Sequence, residues 1–222
     1  MSAAALLDQV IEDLYRQHTT DADATAAARR DYEERRGVVH QDHELWESWS
    51  AAFVEWYVVE RVPPGDTLPL AARTYRELAS TESPDEVALS KAAVVRALLT
   101  SQRSLYEVVA MARGRIELLD LLGGAEFHVA EQRTLHGVEI GDVAELRLVG
   151  VAGEVRFGRT FIYHPKVARN AIVDLARHRL ASGASRRDVI DLIAQLRVQI
   201  TRYRHMSPAR IYQHGSPGSR IV

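Results

Sequence analysis

The chain has 222 residues, a formal charge of −2 and no cysteine; 46% of its residues are hydrophobic, 26% charged and 7% aromatic. Those values are ordinary for a globular protein, long enough for one large domain or two small ones sharing a core. The lack of cysteine excludes disulfides, cysteine-ligated zinc and thiol nucleophiles, and no apolar run approaches the ~18–20 residues that span a bilayer.

The first segment, Met1 to Ala5, carries no positive charge and Asp8 interrupts the apolar run begun by Leu6 and Leu7, so no secretory leader is expected. Residues 3–17 read as an amphipathic helix with Leu6, Leu7, Val10, Ile11 and Leu14 on one stripe. Residues 24–36 are rich in alanine and charge, with Asp31 and Arg35 spaced as a helical ion pair. Having few apolar residues, this helix is expected to be exposed, stopping at Gly37. Residues 45–60 hold all three tryptophans, and Trp46, Trp49, Phe53, Trp56 and Tyr57 share one helical face. At that spacing the aromatics read as core rather than as a peptide-binding cage. Val62-Pro63-Pro64-Gly65 ends the helix. Thr67 is expected to cap a short helix through Leu78. Ser83-Pro84-Asp85-Glu86 reads as the start of another, running to about Thr100 with Ala88, Ala92, Val95 and Leu98/Leu99 facing inward.

The rhythm then changes from 3.6 to 2. Tyr106, Val108 and Ala110 alternate with Glu107 and Val109, and Arg113-Gly114 is a turn. Ile116 to Leu121 is a second strand, Gly123-Gly124 a turn, and Phe127 and Val129 flank His128 in a third. After Gly141-Asp142, Ala144, Leu146 and Leu148 alternate with Glu145 and Arg147. Gly150 to Gly153 turns into a last strand from Val155 to Tyr163. Helical spacing returns at Lys166, with Ala168, Ala171, Ile172 and Leu175 on one face as far as Ser182-Gly183. Ser185 caps a longer helix striped by Val189, Leu192, Ile193, Leu196, Ile200 and Tyr203. The expected fold is therefore α+β: N-terminal helices over 1–103, a small five-stranded antiparallel barrel of SH3-like size over 104–165, a basic αα-hairpin over 166–206 and a flexible tail over 207–222. An open sheet of three to five strands is the alternative to the barrel.

Several segments resemble those of a poorly characterised group of bacterial proteins. They are Phe53-Val54-Glu55-Trp56-Tyr57 with Pro64-Gly65-Asp66-Thr67, Leu105 to Val108, Gly141-Asp142 with Ala144 to Val149, Phe161 to Pro165 and Tyr203-Arg204-His205. Proteins of that kind often carry a cysteine-rich zinc tail like that of the SecA translocase, which this chain lacks. The resemblance implies a shared architecture and no activity.

Charge is unevenly spread. Of the 30 acids only Asp174, Asp188 and Asp191 lie beyond residue 165, against 11 of the 28 Lys and Arg residues; the balance is −10 before that point and +8 after it. Such a basic end suits a polyanion, and Arg169, Arg177, Arg179, Arg186, Arg187, Arg197, Arg202 and Arg204 are its candidate nucleic-acid or anion contacts. The competing reading packs these arginines against the chain's own acids. His40 and His43, in His40-Gln41-Asp42-His43-Glu44, are the only metal-like pair, and they match neither helical zinc motif. His164 beside Pro165 could act as an acid or base, but reads as a hydrogen-bonding residue at the junction of barrel and helix. There is no G-x-S-x-G elbow, Walker loop or dinucleotide fingerprint. The expectation is a cytoplasmic, non-catalytic protein-interaction or scaffold module with no cofactor and no membrane insertion. Nucleic-acid binding through the basic helices is the first alternative, and an unrecognised enzyme or metal protein the second.

Overall fold

The structure, a computed structural model, describes residues 3–131 and 137–214. Among these residues the chain forms eight α-helices and a five-stranded sheet. The helices are α1 (Ala3–His18), α2 (Ala22–Arg36), α3 (Trp46–Val59), α4 (Leu70–Ala79), α5 (Glu86–Leu99), α6 (Arg169–Ala181), α7 (Arg186–Arg202) and α8 (Pro208–His214); a 3-10 turn at Lys166–Ala168 precedes α6. The strands are β1 (Gln102–Ala112), β2 (Arg115–Asp120), β3 (Glu126–Ala130), β4 (Val143–Val151) and β5 (Glu154–His164). None of these helices is long and apolar enough to cross a membrane.

The helix starts follow local capping chemistry, with two corrections. Ser185 caps α7 as expected: its Oγ accepts the Asp188 N–H at 3.1 Å and donates to the Asp188 carboxylate at 2.7 Å. The start of α5 lies two residues later than Ser83, because Asp85 is the cap and accepts the Ala88 N–H at 2.7 Å. Thr67 caps nothing; Pro69 precedes α4, its fixed φ already compatible with a first turn.

Helix α2 is not the exposed helix its composition suggests. Ala28, Tyr32 and Arg36, four residues apart, form a fully buried row. Its ion pair is present on the other side, with Arg35 Nε 3.1 Å from Asp31 Oδ1.

The five strands form a closed barrel in the order β1-β2-β3-β5-β4. β1 pairs antiparallel with β2, and β2 with β3. Five is odd, so a closed ring cannot alternate direction at every step and at least one neighbouring pair runs parallel. The expectation of a purely antiparallel barrel is corrected accordingly. The β4–β5 hairpin turns at Ala152 and Gly153, with φ of 53° and 80°; positive φ at both central residues gives the twist that two-residue hairpins require. β1 carries a bulge between Val108 and Ala110, which leaves Val109 unpaired and exposed and ends the strict alternation read there. β4 departs further from alternation. From Val143 to Val149 every residue is buried, Glu145 and Arg147 included.

By its contacts the chain divides into two compact units, each assembled from separate stretches of sequence. Unit 1 comprises Met1–Arg30, Glu47–Arg103 and Arg147–Thr160; unit 2 comprises Asp31–Trp46, Ser104–Leu146 and Phe161–Val222. In unit 1, Leu7, Val10, Ile11 and Leu14 of α1 are buried, as are Trp49, Phe53, Trp56 and Tyr57 of α3. Tyr15 meets Phe53 and Tyr57 edge-on, with ring centroids 6.1 and 5.3 Å apart, and the Arg29 guanidinium covers the Phe53 ring at 4.4 Å. In unit 2 the core joins Leu105 and Val143 to Ile172, Leu175, Val189, Ile193 and Leu196. It also takes in Ile211 and Tyr212 of α8. The stretch 208–214, expected to be loose, is therefore a packed helix; residues 215–222 lie outside the described residues.

Candidate interaction site

The arginines singled out from the sequence differ in what they contact. Three of them are committed to carboxylates of the preceding acidic part of the chain, all within unit 2. Arg169 donates from Nε and Nη2 to Glu107 at 2.9 and 2.7 Å. Arg186 donates from Nη2 to Asp120 and to Ser104 Oγ, each at 2.8 Å, while Ser104 Oγ donates to Asp120 at 2.6 Å. Arg197 donates to Glu44 at 2.8 Å and to the Tyr163 carbonyl at 2.7 Å, with a side chain only 11% exposed. Its hydrogen bond holds the Glu44 carboxyl below the usual carboxylate range. Arg179 is half-buried, and Arg177, Arg187, Arg202 and Arg204 are exposed.

His43 is engaged through both ring nitrogens. Its Nδ1 accepts the Leu45 N–H at 3.0 Å, so Nε2 carries the hydrogen and lies 2.8 Å from Thr201 Oγ1, which donates onward to the Val198 carbonyl at 2.9 Å. No lone pair of this ring is left for a metal, and burial pushes its pKa down. His40 is exposed. Among the described residues no three His, Asp or Glu side chains gather in a way that could hold a metal ion.

His164 is buried, its Nδ1 2.8 Å from the Tyr212 hydroxyl. Burial pushes its pKa down to about 3, with the Arg197 and Arg36 charges acting in the same direction. Burial also raises the Tyr212 hydroxyl. A ring so hard to protonate is a structural hydrogen-bond partner, as the sequence suggests, and a poor proton carrier near neutral pH.

Two further clusters of buried charge pair within their own units. In unit 2, Arg36 bridges Glu145 and Asp191. In unit 1, Arg147 pairs with Glu60, donates to Ser101 Oγ at 3.0 Å and lies 3.5 Å from Glu55. Glu55 also accepts the Arg159 N–H at 2.6 Å; burial raises its pKa against the pull of Arg147.

Unit 1 carries a feature that sequence reasoning did not select. A groove of about 380 Å³ runs between α1 and α5, lined by Leu6, Gln9, Val10 and Asp13 on one side and Glu86, Val87, Ser90 and Lys91 on the other. Its volume falls in the ~300–1,000 Å³ range of ligand pockets. Val87 is 75% exposed and its neighbour Leu89 57%. Both lie off the inward face read for this helix; of the two, Val87 lines the groove, and its exposure on the wrong face was the signal that could have found it. Comparison of the chain with protein-family models, with curated proteins and with solved structures returns no match.

Proposed function

We propose that the protein is a non-catalytic cytoplasmic interaction or scaffold module that receives a protein partner in the α1/α5 groove. In this reading α6 and α7 form the basic αα-hairpin, and barrel and hairpin act as rigid support rather than as a reaction site. One observation carries the proposal: Val87, three-quarters exposed, stands at the rim of a groove floored by Leu6 and Val10. Buried Arg36 and Arg147, by contrast, are occupied by carboxylates. Val87→Asp tests it, compared with Arg177→Ala in affinity capture from a cell lysate of the source organism. A partner lost with Val87→Asp and kept with Arg177→Ala supports the reading. A set of captured proteins indifferent to Val87 overturns it.

Exposed Arg177, Arg202 and Arg204 favour nucleic-acid binding as the second reading. Its measurement is affinity for duplex and single-stranded DNA across salt. Genuine phosphate contacts give a steep fall of log K with log salt, and a flat, weak response removes this reading.

A further inference from the structure

The geometry points to a basic amphipathic helix as the occupant of the α1/α5 groove, an inference that rests on the groove being a docking site at all. Both walls are helices, α1 and α5. Apart from the first-turn N–H groups of each helix, their backbone N–H and C=O groups are used within the helices themselves, so an extended peptide laid here would gain no ladder of main-chain bonds. What the walls offer is side chains: Leu6, Val10 and Val87 for an apolar stripe, with polar groups beside it. A helix presenting residues at i, i+3, i+4 and i+7 fills such a groove without leaving its own backbone unpaired.

Charge chooses among helices. The lining carboxylates are Asp13 and Glu86, one on each wall, against the single cation Lys91. The turn leading into α5 adds Glu82 and Asp85, both exposed. Asp8 and Glu12, elsewhere on α1, do not line the groove and face Arg159 of the same unit at 3.9 and 2.9 Å. Arg16 reaches back to Asp13 at 3.5 Å from a side chain that is 70% exposed, a contact that solvent weakens and that an incoming cation can replace. A helix flanked by Lys or Arg meets this rim favourably. An acidic helix, a nucleic acid or an anionic membrane surface meets like charge.

Two designed peptides of about 18 residues, each about 27 Å long as a helix, provide the test: one built of leucine and lysine, the other of leucine and glutamate in the same pattern. Their affinities are measured by fluorescence anisotropy with the full chain and with two variants, each checked for folding by circular dichroism. The leucine–lysine peptide is expected to bind about tenfold or more tightly than the leucine–glutamate peptide, and Val87→Ser to weaken it about tenfold. The double charge reversal Asp13→Lys with Glu86→Lys is expected to invert the preference. Equal binding of both peptides that still depends on Val87 overturns the basic-helix inference and leaves the groove as a docking site. Binding of neither peptide, or binding indifferent to Val87→Ser, overturns both.

Discussion

The Arg36 guanidinium donates from one nitrogen to both oxygens of Glu145, each at 2.8 Å, at a point where neither side chain reaches solvent. Its other terminal nitrogen donates to Asp191, also at 2.8 Å. Residues of α2, β4 and α7, all three in unit 2, are thereby joined at one buried cation. Removing one member of such a cluster strands the others without a counter-charge, whereas replacing all members by apolar side chains is often neutral or better. Arg36→Met is expected to cost about 3–5 kcal/mol in urea-melt stability. The triple variant Arg36→Met, Glu145→Leu, Asp191→Leu is expected to recover most of that loss. A single variant as stable as the parent would show that the cluster contributes nothing to the fold.

Gly158 in β5 faces Glu55. A Cβ at this position would lie 2.5 Å from Glu55 Oε1 and 3.3 Å from the Arg147 carbonyl. Glu55 cannot swing away without giving up the Arg159 N–H and the approach of Arg147. Gly158→Ala is therefore expected to destabilise by about 1–3 kcal/mol. Gly150→Ala, where nothing lies within 4 Å, serves as the control and should stay within about 0.5 kcal/mol.

The β4–β5 turn suggests a stabilising change. Ala152 is the one non-glycine residue with positive φ among those described, a conformation that costs an L-residue with a Cβ about 1 kcal/mol. Ala152→Gly removes the cost at once, and Ala152→Asn relieves much of it. Either should raise the thermal midpoint by a few degrees, in line with about 0.5–1 kcal/mol. A lowered midpoint would contradict the turn geometry.

Acid sensitivity follows from His164. Its pKa in the folded protein is about 3, against an ordinary 6.5, because the ring is buried beside Tyr212 with Arg197 and Arg36 nearby. Between those two values the unfolded chain binds a proton that the folded chain does not. Stability from this residue is thus fully present above about pH 6.5 and falls as pH drops toward 3, by at most about 4–5 kcal/mol. His164→Asn keeps a polar partner for Tyr212 and does not titrate. Denaturant midpoints from pH 7 to 4 should show a shallower decline in this variant than in the parent.

The arginines of the C-terminal helices should separate into two classes. Arg186→Ala takes its guanidinium away from Asp120, whose side chain is 1% exposed and which also accepts from Ser104 Oγ and the Leu122 N–H. A loss of about 1–3 kcal/mol is expected. Arg177→Ala, Arg202→Ala and Arg204→Ala lie on exposed positions and should each stay within about 0.5 kcal/mol. Equal costs for all four would contradict the division between structural and surface arginines.

The architecture was legible where side-chain rhythm is local. The change of period near Leu105 and its return at Lys166 located all five strands and the two helices beyond them, and Ser185 marked the start of α7. Partners distant in sequence were not legible. Arg36, Glu145 and Asp191 look like solvated charges in their own elements; only the fold brings them together, and this is why α2 read as exposed and β4 as an alternating, half-exposed strand. Turn spacing suggested a barrel, but the order of its strands, with β5 beside β3, is likewise a non-local fact with no turn signal of its own. Of the basic residues, composition revealed the charge of the C-terminal part but not that Glu107, Asp120 and Glu44 would answer Arg169, Arg186 and Arg197. The α1/α5 groove was half-legible, since Val87 falls off the inward stripe.

The interleaving of the two units has a practical consequence for deletion mapping. Residues 104–165 look like a self-sufficient piece on a linear diagram. Expressed alone they would lack Asp31–Trp46 and everything after residue 165, which complete unit 2, and would carry a stretch of unit 1, Arg147–Thr160, away from its neighbours. Loss of binding in any such fragment would report collapse rather than the location of a contact, so point substitutions in the intact chain are the informative tool.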